Sequence, residues 1–117
     1  MKPKTERRFR RSANVLKALD FFLDSLCDHF GLISLVLGDD QGLLVAGSSF
    51  VLDPEELAAR APLVEKKTMP GSYQGWPLRV WSFNTEHGEL SFCAVGDERK
   101  VAAATLEGSR GVRRILA

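Results

Sequence analysis

A broad apolar stripe between residues 13 and 30 is the feature that most constrains the fold. Its apolar residues recur at spacings of three and four, which places them on one side of a helix. They are Val15, Leu16, Leu19, Phe22, Leu23, Leu26, Cys27 and Phe30. Gly31 follows, as is common at a helix C-terminus. A helix with so wide an apolar side must pack against a sheet or another helix.

Two short apolar runs follow, with turn residues between them. Residues 32–37 (LISLVL) are nearly all apolar, as in a central strand covered on both faces, and residues 43–46 (LLVA) repeat this pattern. The intervening GDDQG has glycines that accept positive φ and aspartates that bond the local backbone. Asp39 and Asp40 lack the third oxygen donor of a calcium loop and the enclosing cleft of a catalytic pair. The segment therefore predicts a β-hairpin, not a metal site or an acid/base site.

A second helix is predicted to begin at Pro54. Asp53 suits the N-cap position, Pro54 the first helical position and Glu56 the acidic position of a capping box. Pro62 removes one backbone hydrogen bond and disfavours helical geometry at Ala61, so the helix is expected to end or kink there. Its alanines suit close packing, either within this chain or against another subunit.

The second half of the chain predicts another hairpin and a last helix. Residues 64–77 allow one short extra strand in a region rich in glycine and proline. Residues 78–84 (LRVWSFN) and 89–95 (ELSFCAV) predict two strands joined by a turn. The helix after Asp97 has an apolar stripe that includes Gly108, and a helical glycine costs about 1 kcal/mol relative to alanine. Close approach of Gly108 to the sheet or to the first helix is the expected compensation.

These elements give the order α-β-β-α-(β)-β-β-α. Helices interleaved with hairpins predict an α+β fold, an antiparallel sheet of four to five strands sandwiched between helices. The length of 117 residues fits a single domain over residues 12–117, preceded by a basic arm over residues 1–11.

Composition excludes several classes of protein. Hydrophobic residues make up 44% of the chain, and no apolar run approaches the ~20 residues of a membrane span. No charged segment leads into an apolar run, so no secretory signal is predicted and a cytoplasmic location is expected. Cys27 and Cys93 have neither CxxC nor other metal-ligand spacing, so we expect reduced core cysteines, no metal and no cofactor.

The arm carries an excess of positive charge. Its six basic residues against Glu6 give +5, whereas the remaining residues have ten basic and fourteen acidic side chains, or −4. The basic residues are Lys2, Lys4, Arg7, Arg8, Arg10 and Arg11. Such an arm can contact nucleic acid, an anionic membrane or an acidic partner, or can simply be a solvated tail. Only Phe9 interleaves these charges, which makes nucleic acid the unfavoured partner.

No catalytic motif stands out. The chain has no phosphate loop, no GxGxxG and no GxSxG, and its two histidines, His29 and His87, fall at the ends of predicted elements. We therefore predict no catalytic residues and a protein that is not an enzyme.

The stretch SLVLGDDQGLLVAGSS resembles the Roadblock family, named for a dynein light chain, whose members include bacterial partners of Ras-like GTPases. The family turn D-x-D-G-L-x-x-A is matched at Asp39, Gly42, Leu43 and Ala46, with Gln41 in place of the second aspartate. The order of elements also matches over residues 13–117. Profilin-like and longin-like domains share this architecture.

The resemblance implies a non-catalytic dimerisation module, paired with itself or with a related chain. Such a dimer binds and regulates a small Ras-like GTPase or acts as a scaffold in a motor or signalling complex. Family members pair through the second helix and the neighbouring edge strand. Carried onto this sequence, the expected interface is Leu57, Ala58, Ala61, Val64, Trp76, Trp81 and Phe83.

Two other functions remain open at this point. A small-ligand sensor of the GAF or PAS type also combines helices with an antiparallel sheet, and would enclose a pocket lined by groups such as Trp81 and Phe83. An enzyme with an unrecognised site would need a cleft with perturbed acidic groups.

Overall fold

A computed structural model describes residues 13–48, 52–67 and 71–117, so the basic arm lies outside the described residues. The described residues form three helices and five strands. In chain order these are α1 (Ala13–Phe30), β1 (Ser34–Asp39), β2 (Leu44–Gly47), α2 (Pro54–Glu65), β3 (Ser72–Tyr73), β4 (Trp76–Thr85), β5 (Gly88–Val95) and α3 (Glu98–Leu116). The predicted α+β order is confirmed, with β3 as the optional strand.

The five strands form one antiparallel sheet in the order β2-β1-β5-β4-β3. Leu37 of β1 and Trp81 of β4 are both register partners of Phe92, at the middle of the sheet. Helices α1 and α3 pack together on one face, and α2 covers the other. Strand β1 is buried along its whole length, as its apolar sequence predicts.

The face under α1 and α3 holds the larger core. Leu19 and Leu23 of α1 and Phe92 of β5 are fully buried there. A Cβ atom placed at Gly108 would lie 2.9 Å from Cζ of Phe92, so the predicted close approach is confirmed. Gly111 is equally constrained, because a Cβ there would overlap the ring of Phe22.

The face under α2 is packed with smaller side chains. Leu57, Ala58 and Ala61 are buried against Val36 and Cys93 of the sheet. A Cβ atom at Gly38 would lie 3.3 Å from the Ala58 methyl, so a glycine in β1 lets the helix approach the strand. The short side chains on both elements set this close distance.

The sequence predicts that α2 ends or kinks at Pro62, and the first of these alternatives is wrong. The helix neither ends nor breaks there but continues to Glu65, and the Lys66 N–H donates to the Pro62 carbonyl. Burial of Ala61 and Ala58 on the sheet holds this turn in place despite the missing backbone bond. The predicted capping box is half formed: the Asp53 carboxylate accepts from the backbone N–H groups of Glu55 and Glu56, but the Glu56 side chain bonds elsewhere.

No helix within the described ranges is long and apolar enough to cross a membrane.

Candidate protein-interaction surface

The turn between β1 and β2 is a structural device built by Asp39. This residue is only 4% exposed, and its Oδ1 accepts the backbone N–H groups of Gln41 at 2.9 Å and Leu43 at 3.0 Å. Gly42 has φ of 80° and lies against α2, where a Cβ would come within 3.3 Å of the Ala59 Cα. The Asp39 carboxylate thus accepts backbone hydrogen bonds within the turn, and the prediction of a turn is confirmed.

The end of β2 is also held to the sheet by a side chain that accepts a backbone hydrogen bond. Ser48 is buried, and its Oγ accepts the backbone N–H of Leu35 at 2.9 Å. Ala46 is buried above the core under α1, whereas Leu43 is 47% exposed. The matched positions of the turn motif therefore shape the hairpin and fix it to α2.

The described histidines and cysteines all lie in structural contacts or in the core. His87 Nε2 lies 3.0 Å from the Leu116 carbonyl oxygen at the end of α3, and His29 packs edge-on against Phe30. Burial raises the pKa of Cys93 to about 12 and also raises that of Cys27, so neither thiol favours the thiolate needed for attack or metal binding. Both cysteines are free and buried, as predicted. The described part of the chain contains no group of acidic, histidine and cysteine side chains that could hold a metal ion.

Two surface depressions lie at opposite ends of α3. One, of about 290 Å³, lies between Thr85 at the end of β4 and Leu116 of α3. The other, of about 490 Å³, lies between Trp76 and the first residues of α3. Neither lining contains a serine, cysteine or histidine that could act as a nucleophile or as a partner to its acids.

The pocket expected of a ligand sensor is not formed by its proposed lining residues. Phe83 is buried and stacks on Phe92 with the ring centroids 5.2 Å apart, so it fills the core. Trp81 is 43% exposed at the surface. The two side chains therefore do not enclose a cavity between them.

The expected dimer-interface residues separate into buried and exposed groups. Leu57, Ala58 and Ala61 are at most 2% exposed because they pack on the chain's own sheet, and Phe83 is 7% exposed. These four side chains are almost wholly buried in the chain's own core, so they leave little surface for the contact with a partner that the sequence predicts. Val64 is half-buried.

Trp76 and Trp81 keep the exposure that an interface requires, at 52% and 43%. On α2, the large apolar side chain that is exposed is Leu63, at 43%. It follows Glu56 and Arg60 at spacings of seven and three, which places all three on one side of the helix. This stripe was missed in the sequence because a single exposed leucine has no periodicity of its own.

Glu56, Arg60 and Tyr73 tie this side of α2 to β3. The Tyr73 hydroxyl donates to Glu56 Oε2 at 2.9 Å, Arg60 Nη2 donates to Glu56 Oε1 at 2.9 Å, and the Arg60 guanidinium lies 4.8 Å from the centre of the Tyr73 ring. The Tyr73 hydroxyl, followed by Arg60, lowers the pKa of the Glu56 carboxyl. Leu63 therefore lies on the side of the helix that runs along the β3–β4 edge of the sheet.

Within residues 13–48, 52–67 and 71–117, no strand pairs with the outer edge of β4 beyond its short pairing with β3. The Leu78 N–H donates outward to the Gly71 carbonyl, and backbone groups of alternate residues point to the same side of an antiparallel strand. The backbone groups of Val80 and Ser82 therefore also point outward. Within the described residues no strand pairs with them.

Serine side chains link the open edge to the end of α2. Ser82 Oγ donates to Glu65 Oε2 at 2.8 Å and lies 2.7 Å from Ser91 Oγ. With one proton committed to Glu65, Ser82 accepts from Ser91. The edge of β4 and the stripe of α2 thus form one surface, which we call the edge surface: Glu56, Arg60, Leu63, Val80, Trp81 and Ser82.

Comparison with solved structures shows that the chain has a known fold. No family model matches the sequence, and no curated protein matches it. Among solved structures, that of Myxococcus xanthus MglB superposes with a TM-score of 0.59 at 12% sequence identity, covering 91% of this chain and 95% of that one. The chain has the Roadblock/longin fold. At this identity the likeness concerns the fold, which agrees with the family resemblance of the hairpin motif.

Proposed function

We propose that the protein is a cytoplasmic, non-catalytic dimerisation module that binds and regulates a small Ras-like GTPase or organises a motor or signalling complex. The proposal rests on the open edge of β4 beside the exposed stripe of α2. The Roadblock resemblance, in which the second helix and its neighbouring edge strand form the dimer interface, supports the same surface. The edge surface is suited to binding another protein, since it offers backbone groups and apolar side chains to a partner.

Pairing of two edge surfaces would satisfy the unpaired backbone of β4. A second copy related by a two-fold axis would place its own β4 antiparallel to the first, giving a sheet continuous across both chains. Trp81 projects from the α3 side of the sheet, and Leu63 lies on the α2 side. An apolar anchor on each side of the new strand pair would exclude water from its hydrogen bonds.

The first test is the solution mass, measured by light scattering after size-exclusion chromatography over a range of concentrations. We expect a concentration-independent dimer for the natural sequence. Leu63→Glu should shift the mass toward that of a monomer, because a carboxylate would be buried at the interface. The matched control is Leu106→Glu on α3, since Leu106 is similarly exposed at 47% but lies on the other side of the sheet.

A second variant tests the backbone of the edge. Val80→Pro removes an outward N–H group from an edge strand, where proline is tolerated within a monomer but not in a paired strand. It should weaken the dimer without unfolding the domain. A monomeric natural sequence, or equal dimerisation by all three variants, would show that the edge surface is not the interface.

The GTPase part of the proposal is tested separately with purified Ras-like GTPases from the same organism, loaded with GDP or with a non-hydrolysable GTP analogue. Binding should depend on the nucleotide, and the protein should change the rate of GTP hydrolysis or of nucleotide release. If no GTPase binds a protein that is nonetheless a dimer, the scaffold function is favoured instead.

A further inference from the structure

The two edges of the sheet differ in how their outward backbone groups are bonded. Strand β2 forms one edge and, among the described strands, pairs with β1 alone. The Ser48 N–H donates inward to the Leu35 carbonyl, so the N–H of the preceding residue, Gly47, points outward. This outward N–H donates to Oδ1 of Asp20 at 3.1 Å. A side chain of α1 therefore occupies the position where a further strand would place a carbonyl oxygen.

The shape of β2 also makes this edge a poor template for pairing. The strand has four residues, Leu44–Gly47, whereas β4 has ten. Its register with β1 shifts between Leu37 and Gly38, which leaves Val45 opposite no residue of β1, as in a β-bulge. Short length, a bulge and a charged side chain directed at the backbone are the means by which natural edge strands avoid pairing with other chains.

The Asp20 carboxylate lies outside the core that α1 forms with the sheet. Leu19 and Leu23 are fully buried in that core, whereas Asp20 is exposed. Asp24, one turn further along α1, is exposed as well, but within the described residues no hydrogen bond joins it to β2. A strand added at β2 would either displace the Asp20 carboxylate from Gly47 or bury it away from water, and burial of an unpaired charge is costly. The hydrogen bond therefore opposes pairing at this edge.

We infer that Asp20 caps the β2 edge, so that assembly of the protein through its sheet stops at two chains. This inference rests on the proposed pairing of two β4 strands. In such a dimer both β4 edges lie inside the interface, and the two ends of the joined sheet are the β2 strands. Without the cap, dimers would add to one another through β2, and the sheet would grow into an open chain. Asp20 thus determines which edge accepts a second copy.

The first test is the solution mass of Asp20→Ala, measured by light scattering after size-exclusion chromatography over a range of concentrations. We expect a mass that rises with concentration beyond that of the dimer, because the Gly47 N–H is free to pair with another strand. Asp20→Asn retains an acceptor oxygen and should keep the mass of the dimer. An Asp20→Ala protein that keeps the natural mass, or an Asp20→Asn protein that grows as Asp20→Ala does, would overturn the inference.

The matched control is Asp24→Ala, which removes the same carboxylate from an exposed position on the same helix. It should keep the mass of the dimer, since Asp24 does not bond to the β2 edge. Growth of Asp24→Ala equal to that of Asp20→Ala would show that loss of negative charge, and not loss of the cap, drives assembly.

A double variant, Asp20→Ala with Val80→Pro, separates growth of the sheet from general aggregation. Proline at position 80 blocks β4, so this protein can pair through β2 only, and its mass should not exceed that of a dimer. Growth equal to that of Asp20→Ala alone would show that assembly does not pass through the sheet edges, and would overturn the inference.

Exchange of the Gly47 amide hydrogen, followed by NMR, tests the cap without any assembly when it is measured in proteins that also carry Val80→Pro. Loss of the hydrogen bond to Asp20 should make this exchange about fivefold faster in Asp20→Ala, and Asp24→Ala should leave it unchanged. Equal exchange rates in Asp20→Ala and its parent would overturn the cap.

Failure of the cap and failure of the proposed dimer give different results. A natural sequence that is dimeric, with Asp20→Ala also dimeric, rejects the cap and retains the dimer. A natural sequence that is monomeric, with Asp20→Ala self-associating, rejects the dimer and supports the cap. If both proteins are monomeric, both proposals are rejected.

Discussion

The two faces of the sheet are held by different physical means. Under α1 and α3, large apolar side chains interlock with glycines, as where Phe92 meets Gly108. Under α2, small side chains allow close approach, and polar links such as that from Tyr73 to Glu56 fix the helix at its edges. The first face is closed by its own packing. The second ends in an exposed leucine, Leu63, and in a β4 edge that no described strand pairs with, which are the features on which the proposed dimer depends.

The largest effect should come from emptying the core under α1 and α3. Phe92→Ala removes a fully buried ring that contacts both Phe83 and the α3 backbone at Gly108, and should lower the free energy of unfolding by about 4 kcal/mol. Urea denaturation followed by circular dichroism measures this change. Phe21→Ala is the matched control, because Phe21 is 73% exposed and its loss should cost no more than about 0.5 kcal/mol.

Filling the glycine on the same face tests the interlock itself. Gly108→Ala would gain helix propensity, but its methyl would lie 2.9 Å from a buried ring and 3.2 Å from Leu26 Cδ1. We expect net destabilisation of about 2 kcal/mol from overpacking. Phe92→Leu should make Gly108→Ala less costly, and additive effects of the two substitutions would show that the ring and the helix are not in close contact.

Much of the fold could be predicted from the sequence because its periodicities are strong. The stripe of α1, the apolar β1 and the turn at Asp39 each follow from local patterns, and all three occur where predicted, with strand ends displaced by about two residues. An end of α2 at Pro62, one of the two outcomes that the sequence predicts, does not occur, because the local cost of proline is outweighed by burial of Ala58 and Ala61, a tertiary effect.

The surface was harder to predict, since small residues such as alanine do not indicate which helix, strand or subunit they pack against. Ala58 and Ala59 of α2 pack against Gly38 and Gly42 of the chain's own hairpin. Those two glycines were the available signal, because glycine opposite alanine permits close packing. Alternation in β4 also gives Trp81 and Phe83 the same side of the sheet, yet α3 covers only Phe83. The sequence of β4 does not indicate how much of the strand α3 covers.

Polar links under α2 should give smaller effects than the apolar core. Ser82→Ala would leave Ser91 and Glu65 without their shared partner, and should cost about 1 kcal/mol of unfolding free energy. Ser82→Ala together with Ser91→Ala removes both hydroxyls and should cost less than the sum of the single substitutions. Strict additivity would mean that the two serines do not form one hydrogen-bonded chain.

The smallest expected effect on the free energy of unfolding, and the most specific to the α2 face, comes from the pH dependence of the hydrogen bond between Tyr73 and Glu56. The Tyr73 hydroxyl bond lowers the pKa of Glu56, and the same bond raises the pKa of Tyr73. A lowered carboxyl pKa stabilises the fold above the unfolded value of about 4.3, and this contribution is lost as the pH falls through the folded pKa. A raised tyrosine pKa stabilises it below about pH 10, and this is lost as the pH rises through the folded pKa.

Tyr73→Phe should therefore lower the melting temperature most near pH 7, and the difference from the natural sequence should narrow below pH 4 and above pH 11. Tyr73 is the chain's single tyrosine, so ultraviolet absorbance of tyrosinate reports its titration directly. Glu56→Gln removes the charge that raises the pKa, and should move that titration to lower pH. An unshifted titration in Glu56→Gln would mean that β3 is not tied to α2 by this bond, and the edge surface would lose its support on the α2 side.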